Sequence, residues 1–350
     1  MPTAGHHTYL EITTQPDAWA ETLEIGVASA DALRALWRKA GGRSLLFTGC
    51  GSTYYLSLAA AALSRRQGQP ARGLPASEIW LGTDVAPHVA NGGVLVAVSR
   101  SGETTETLRA VETHRRNGGA AVVAVTCYPN RALAEMADLV IALPAAQEVS
   151  VAQTRSFASM LLACQLIVGA LTDDEGLPGR LSVLPDLGRR LIAEESALTE
   201  RLGSDLSLER FFFLGSGPRY GLAEEAMLKM KEMSLSYSEG YHPLEFRHGP
   251  MSMAETTALV VGLLSDRARD HEAAVLDDMR TLGARTLAIA EDGAGLADAT
   301  YRVTLDSGLS DDERLILNLP LLQLVAYHRS IAKGLDPDRP RHLTAAVVLA

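Results

Sequence analysis

The chain has 350 residues, 47% of them hydrophobic, and a formal charge of −10 from 32 basic and 42 acidic side chains. That length supports two ordinary hydrophobic cores, and an acidic balance without a long block of like charge excludes nucleic acid and acidic membrane surfaces as partners. Three cysteines without metal-ligand spacing, no long uninterrupted apolar run and an opening Met1-Pro2-Thr3-Ala4-Gly5-His6-His7 without a basic region before an apolar one point to a reduced, cytoplasmic setting.

In chain order, Leu45-Leu46-Phe47-Thr48 reads as a buried strand that empties into Gly49-Cys50-Gly51-Ser52, with an apolar helix predicted over 55–63. Strands are predicted next over 94–98 and 121–125. The first of these leads into Ser99-Arg100-Ser101-Gly102-Glu103-Thr104 at a helix start. One hydroxyl there would fit an ordinary N-cap, with Glu103 and Glu106 favouring the first turn. Three hydroxyls, Ser99, Ser101 and Thr104, around one glycine favour a phosphate cradle at the positive end of the helix.

The second half repeats this order. Phe211-Phe212-Phe213-Leu214 precedes Gly215-Ser216-Gly217, a helix is predicted over 221–233, and strands follow over 259–264 and 286–290. The closing phrases match as well, Ala132-Leu133-Ala134-Glu135-Met136-Ala137 against Gly295-Leu296-Ala297-Asp298-Ala299-Thr300. An internal duplication of alternating strands and helices implies two parallel α/β sandwiches with ligands at the carboxyl ends of the strands. The connection is expected within 175–205, around Leu177-Pro178-Gly179. We place an N-terminal segment at 1–30, domains at 31–185 and 186–335, and a tail near the site at 336–350.

The halves differ in chemistry. In place of the hydroxyl loop the second reads Ser265-Asp266-Arg267-Ala268, so only the first is expected to hold phosphate. In return, the helix of the second half carries Lys229 and Glu232, three apart on one face. They fit a solvated ion pair, or an acid/base pair at the ligand edge of the sheet. His248, followed by Gly249-Pro250, is fixed in a rigid loop. Cys50 reads as structural, and His328, in an apolar helix, as a packed residue or a dimer contact. A dinucleotide fingerprint fails at both Gly-x-Gly turns, because Tyr54 and Tyr220 stand where the third glycine belongs. No metal or cofactor constellation is found.

Taken together, Gly49-Cys50-Gly51-Ser52-Thr53-Tyr54, Ser99-Arg100-Ser101-Gly102-Glu103-Thr104, Glu148-Val149-Ser150-Val151-Ala152-Gln153-Thr154-Arg155, Leu228-Lys229-Met230-Lys231-Glu232 and Glu245-Phe246-Arg247-His248-Gly249-Pro250 carry a resemblance over nearly the whole chain. The sequence resembles the double SIS (sugar isomerase) domain proteins, most of all the isomerase half of the glucosamine-6-phosphate synthases and the related aminosugar-phosphate isomerases and deaminases. The resemblance implies two tandem three-layer α/β/α, flavodoxin-like domains. It implies a phosphosugar isomerase or deaminase acting on a hexose or hexosamine 6-phosphate, or alternatively a sugar-phosphate-binding regulator without turnover. By the same resemblance, Ser52, Ser99, Arg100, Ser101 and Thr104 hold the sugar phosphate, and Val151 and Gln153 line the sugar. Glu232 moves a proton between the first two carbons, Lys229 supports the developing negative charge, and His248 opens the ring. His248 comes from the neighbouring subunit in relatives, which implies a homodimer with shared sites.

Departures from the pattern shape the expectation. No glutaminase half precedes the isomerase part and no cysteine follows Met1, so free ammonia or deamination is expected. Ala345 stands where relatives have a tail lysine that forms a Schiff base with the open-chain sugar. Arg100 replaces a usual glutamine and Gln153 a usual serine.

Overall fold

The computed structural model describes residues 3–82, 93–296 and 298–349. Met1, Pro2, Ala297 and Ala350, touched by the sequence reading, lie outside the described residues.

Helices α1 (His6–Thr13) and α2 (Gln15–Lys39) open the chain. The first sheet is built from β1 (Leu45–Gly49), β2 (Ala71–Pro75), β3 (Val94–Val98), β4 (Ala121–Thr126) and β5 (Leu139–Ala142). Its order is β2-β1-β3-β4-β5 and every pairing is parallel. Every residue of β1, β3 and β4 is buried, which is why these segments read as continuous apolar runs: helices cover both faces, so neither face selects polar residues. Leu46, Leu95, Ala97, Val122 and Ala124 form one core with Ala110 and Val111 of α4 (Thr105–Arg116, after α3, Ser52–Arg66). On α5 (Arg155–Leu171), every residue from Ser156 to Leu171 is buried, and it packs against α2.

The second sheet holds β6 (Arg210–Gly215), β7 (Tyr237–Tyr241), β8 (Ala258–Leu263), β9 (Arg285–Ala290) and β10 (Tyr301–Thr304), again all parallel, in the order β7-β6-β8-β9-β10. Counted within each half, this is the order of the first sheet, the doubly wound order 2-1-3-4-5. Helices α6 (Pro218–Ser234), α7 (Arg269–Thr281) and α8 (Leu319–Ala332) belong to this half. Two parallel α/β domains from a duplication are thus present.

Helix starts differ from the sequence reading. The helix predicted from 55 begins at Ser52, and the one predicted from 221 begins at Pro218. A glycine precedes each start, in a conformation closed to other residues: Gly51 has φ 55°, ψ −123° and Gly217 φ 57°, ψ −127°. The stretch 175–205 is helical, as Leu177–Leu181, Leu184–Glu194 and Ser196–Ser204, with Pro178 in a first turn where its missing N–H costs nothing.

By compactness, one unit is Thr14–Glu148, Arg155–Pro185 and Thr344–Ala350, and the other is Met1–Thr13, Val149–Thr154 and Asp186–Leu343.

Candidate functional site

Within the first unit, β3 delivers the hydroxyl loop to the start of α4. The loop is organised by its own serines: the Gly102 N–H donates to Ser99 Oγ at 3.1 Å and the Glu103 N–H to Ser101 Oγ at 3.2 Å. Ser99 Oγ lies 3.5 Å from Thr104 Oγ1, so the hydroxyls converge on one turn. Gly102 has φ +68°, and a Cβ there would meet Arg131 Cβ at 3.0 Å. From beneath, Thr126 Oγ1 and the Cys127 N–H both donate to the Arg100 carbonyl at 3.2 Å. Ser52 is the buried first residue of α3, after the Gly51 turn.

Arg100 is 5% exposed. Its Nη1 donates to Glu148 Oε2 at 3.1 Å, and its Nη2 to the Ala345 carbonyl at 3.2 Å. The Glu148 side chain is fully buried and takes the Ser156 N–H on Oε1 at 3.2 Å and the Ser156 hydroxyl on Oε2. The tail touches the loop again where the Thr105 N–H donates to Val347 O at 3.2 Å and the Leu349 N–H to Thr105 Oγ1 at 3.0 Å. Glu148 opens one of the motifs quoted from the sequence but was given no role there.

Burial pushes the Cys50 thiol up to about 11, with a contact to Thr107 opposing and Glu106 adding to the rise. Cys127 and Cys164, buried, are raised further. None is a thiolate at neutral pH, which suits structural cysteines.

Within the second unit, α6 carries Lys229, which is 1% exposed and lies between two carboxylates of its own helix. Glu225 Oε1 is 3.4 Å from Nζ, and Glu232 forms a direct contact. Glu225 is as buried as the lysine, whereas Glu232 is 18% exposed. The arrangement is therefore one cation with an inner and an outer carboxylate, not a solvated pair. Glu225, four residues before Lys229, was missed as a partner although that spacing makes them neighbours on a helix. Burial raises Glu224 above the usual carboxylate range, against an opposing hydrogen bond from Tyr220.

His248 is exposed, in the turn between Pro243–Phe246 and Pro250–Met253, its N–H donating to Glu245 O at 3.0 Å. Gly249, at φ +125°, supplies the turn. Val151 and Gln153 are half-buried in the segment 149–154. The Val151 N–H donates to Asp338 O at 3.2 Å, and buried Glu11 accepts the Val149 and Ser150 N–H groups at 2.5 and 3.3 Å. Gln153 Oε1 is buried and has no hydrogen-bond partner among the described residues. Of the residues singled out, the fold thus brings Ser99, Ser101 and Thr104 together in one unit and Lys229 with Glu232 in the other. His248, Val151 and Gln153 stand on loops of the second unit.

The second half has a counterpart of the hydroxyl loop after β8. Ser265 Oγ accepts the Ala268 N–H at 3.1 Å, as Ser99 does from Gly102, but it also bonds Glu272. Asp266 contacts Arg314, and the Asp266 N–H donates to Asp311 at 3.1 Å. Asp311 lies 2.7 Å from Arg219 and 3.1 Å from Arg314, both arginines being 1% exposed. The protein's own carboxylates thus meet Arg219 and Arg314 beside this loop.

Among the described residues, no helix is long and apolar enough to cross a membrane, and no group of three or more His, Cys, Asp and Glu is placed to hold a metal ion.

A family model described as SIS domain matches residues 40–170 and 207–327. The chain is 34% identical to a glutamine–fructose-6-phosphate aminotransferase [isomerizing] of Aeropyrum pernix, over 98% of this chain and 57% of that protein. It is 28% identical to the like-named protein of Sulfurisphaera tokodaii, over 98% of this chain and 56% of that protein. The chain thus spans a little over half the length of these curated relatives. Among solved structures, a glucosamine-6-phosphate deaminase from Thermotoga maritima superposes with a TM-score of 0.81 at 26% identity, covering 98% of this chain and 100% of that one. The tagatose-6-phosphate ketose/aldose isomerase from Escherichia coli gives 0.87 at 23% identity, covering 100% and 98%, a likeness of fold alone.

Proposed function

Since this chain belongs to the SIS domain family, we propose that it is a phosphosugar isomerase or deaminase that acts on a hexose or hexosamine 6-phosphate. The observation that carries the reading is Lys229, buried between Glu225 and Glu232 on α6. Aldose–ketose interconversion needs one base beside both reacting carbons and positive charge near the enolate oxygen. Glu232, the outer carboxylate, takes the proton from C2 and returns it to C1, and Lys229 supports the negative charge that develops on the enolate oxygen on the way to the enediol or enolamine. His248 protonates the ring oxygen as the sugar opens, supplied by a second copy of the chain in a homodimer. With an aminosugar, the resulting ketimine adds water and releases ammonia, leaving the ketose. Ser52, Ser99, Ser101 and Thr104 anchor the phosphate, so that binding at the unreactive end orients the reacting carbons. Val151 and Gln153 line the sugar.

Ala345 gives a second reading a specific footing. Without a tail amine no Schiff base forms at that position, which favours a protein that binds sugar phosphate without turnover.

Purified protein with glucosamine 6-phosphate, and separately with fructose 6-phosphate and ammonium, separates the two by NMR. Ammonia release, amination or aldose–ketose exchange is the expected result. Ligand-induced shifts without turnover would replace the enzyme by the binding protein.

A further inference from the structure

Arg100 sits in the sequence of the phosphate loop, but its guanidinium joins two other groups. One nitrogen is on Glu148, a fully buried carboxylate, and another is on the Ala345 carbonyl. The tail makes two further bonds on the residue that begins α4, through Val347 O and the Leu349 N–H to Thr105. We propose that Arg100 is a positioning residue that docks the tail, residues 344–349, on the phosphate loop, and that it acts on phosphosugar binding through the tail rather than as a ligand of the phosphate.

Arginine suits this task. A planar fork serves two acceptors at once, whereas an ammonium on the same stem is a single point of charge. Glutamine would reach one acceptor and leave Glu148 as a buried charge without its guanidinium. Glu148 is itself held by the backbone and hydroxyl of Ser156, so the anchor rests on α5 and not on solvent.

The proposal rests on the phosphate-loop reading, and the test separates the two. Six forms are compared: the natural sequence, R100K and the pair R100Q/E148Q, which removes both buried charges together, each as the full chain and ending at Thr344. Carboxypeptidase digestion followed by mass spectrometry reports tail docking without any ligand. Calorimetry with inorganic phosphate reports the loop. Loss of a charge-assisted bond is expected to speed release of the last residues by about tenfold or more in R100K and in R100Q/E148Q. In chains ending at Thr344, R100Q/E148Q is expected to leave phosphate affinity within about twofold, because arginine and tail form one coupled unit. Unchanged digestion rates, or a further loss of phosphate affinity in the shortened R100Q/E148Q, would overturn the proposal. If phosphate bound to none of the forms, the phosphate-loop reading would fall, while the digestion rates would still decide the anchor.

Discussion

Glu232 and Lys229 differ in what their removal should do. E232Q keeps the shape and removes the proposed base, so kcat is expected to fall by about a hundredfold or more with phosphate binding retained; full activity would end the assignment. K229M strips Glu225 of its buried cation, and urea denaturation is expected to show a loss of about 3 kcal/mol. Asp311 governs an acid limb. Its burial alone would raise the carboxyl, but Arg219 beside it, the Asp266 N–H and Arg314 hold it below the usual range. A group lowered in the folded state adds stability that is complete above its unfolded pKa of about 3.9 and is lost as pH falls through the folded value. D311N is therefore expected to lower the melting temperature at neutral pH and to flatten part of the acid loss, read from melts across the acid range. The pairing of Lys229 with Glu232 and the turn that holds His248 were legible because helical spacing and a Gly-Pro turn are local signals. Glu225 was legible by its spacing as a neighbour of Lys229 but not as the inner carboxylate, because burial depends on what packs over a helix, which its own spacing does not encode.

At the scale of the element, the duplication appears as a repeated close approach. A Cβ on Gly49 would meet Thr53 Oγ1 at 2.3 Å, and a Cβ on Gly215 would meet the Arg219 carbonyl oxygen at 2.3 Å. In both, the helix of the next turn occupies the space of a side chain, which is what brings the strand end and helix start together. G215A faces backbone that cannot rotate away, and overpacking of that kind is expected to cost about 3 kcal/mol, measurable by denaturant unfolding. The equivalent change at an unconstrained turn such as Gly41, where a Cβ would meet nothing within 4 Å but φ is +58°, is expected to cost about 1 kcal/mol. Strands β1, β3, β4, β6 and β8 were readable because sheets covered on both faces admit few polar residues. Helix starts were not, since the reading began each helix at its apolar stretch, whereas the start is set by the backbone torsion of Gly51 and Gly217.

At the scale of the molecule, the compact units are not the two contiguous stretches a repeat suggests. Residues 1–13 and 149–154 group with the second sheet, a partition carried by contacts more than a hundred residues apart and so absent from local pattern. Asp338 accepts the His7 N–H at 3.1 Å and the Thr8 N–H and hydroxyl at 2.7 Å, and Asp336 accepts the Gly5 N–H at 2.9 Å. D338A is expected to abolish hydrogen-exchange protection at the His7 and Thr8 amides while the strands of both sheets stay protected. The consequence reaches into synthesis on the ribosome. Residues 5–8 emerge hundreds of residues before the two aspartates that clasp them, so α1 has no partner at this clasp until Asp336 and Asp338 have been made. A nascent chain halted before residue 336 carries its first helix unclasped, exposed to chaperones and proteases that the folded unit does not meet there.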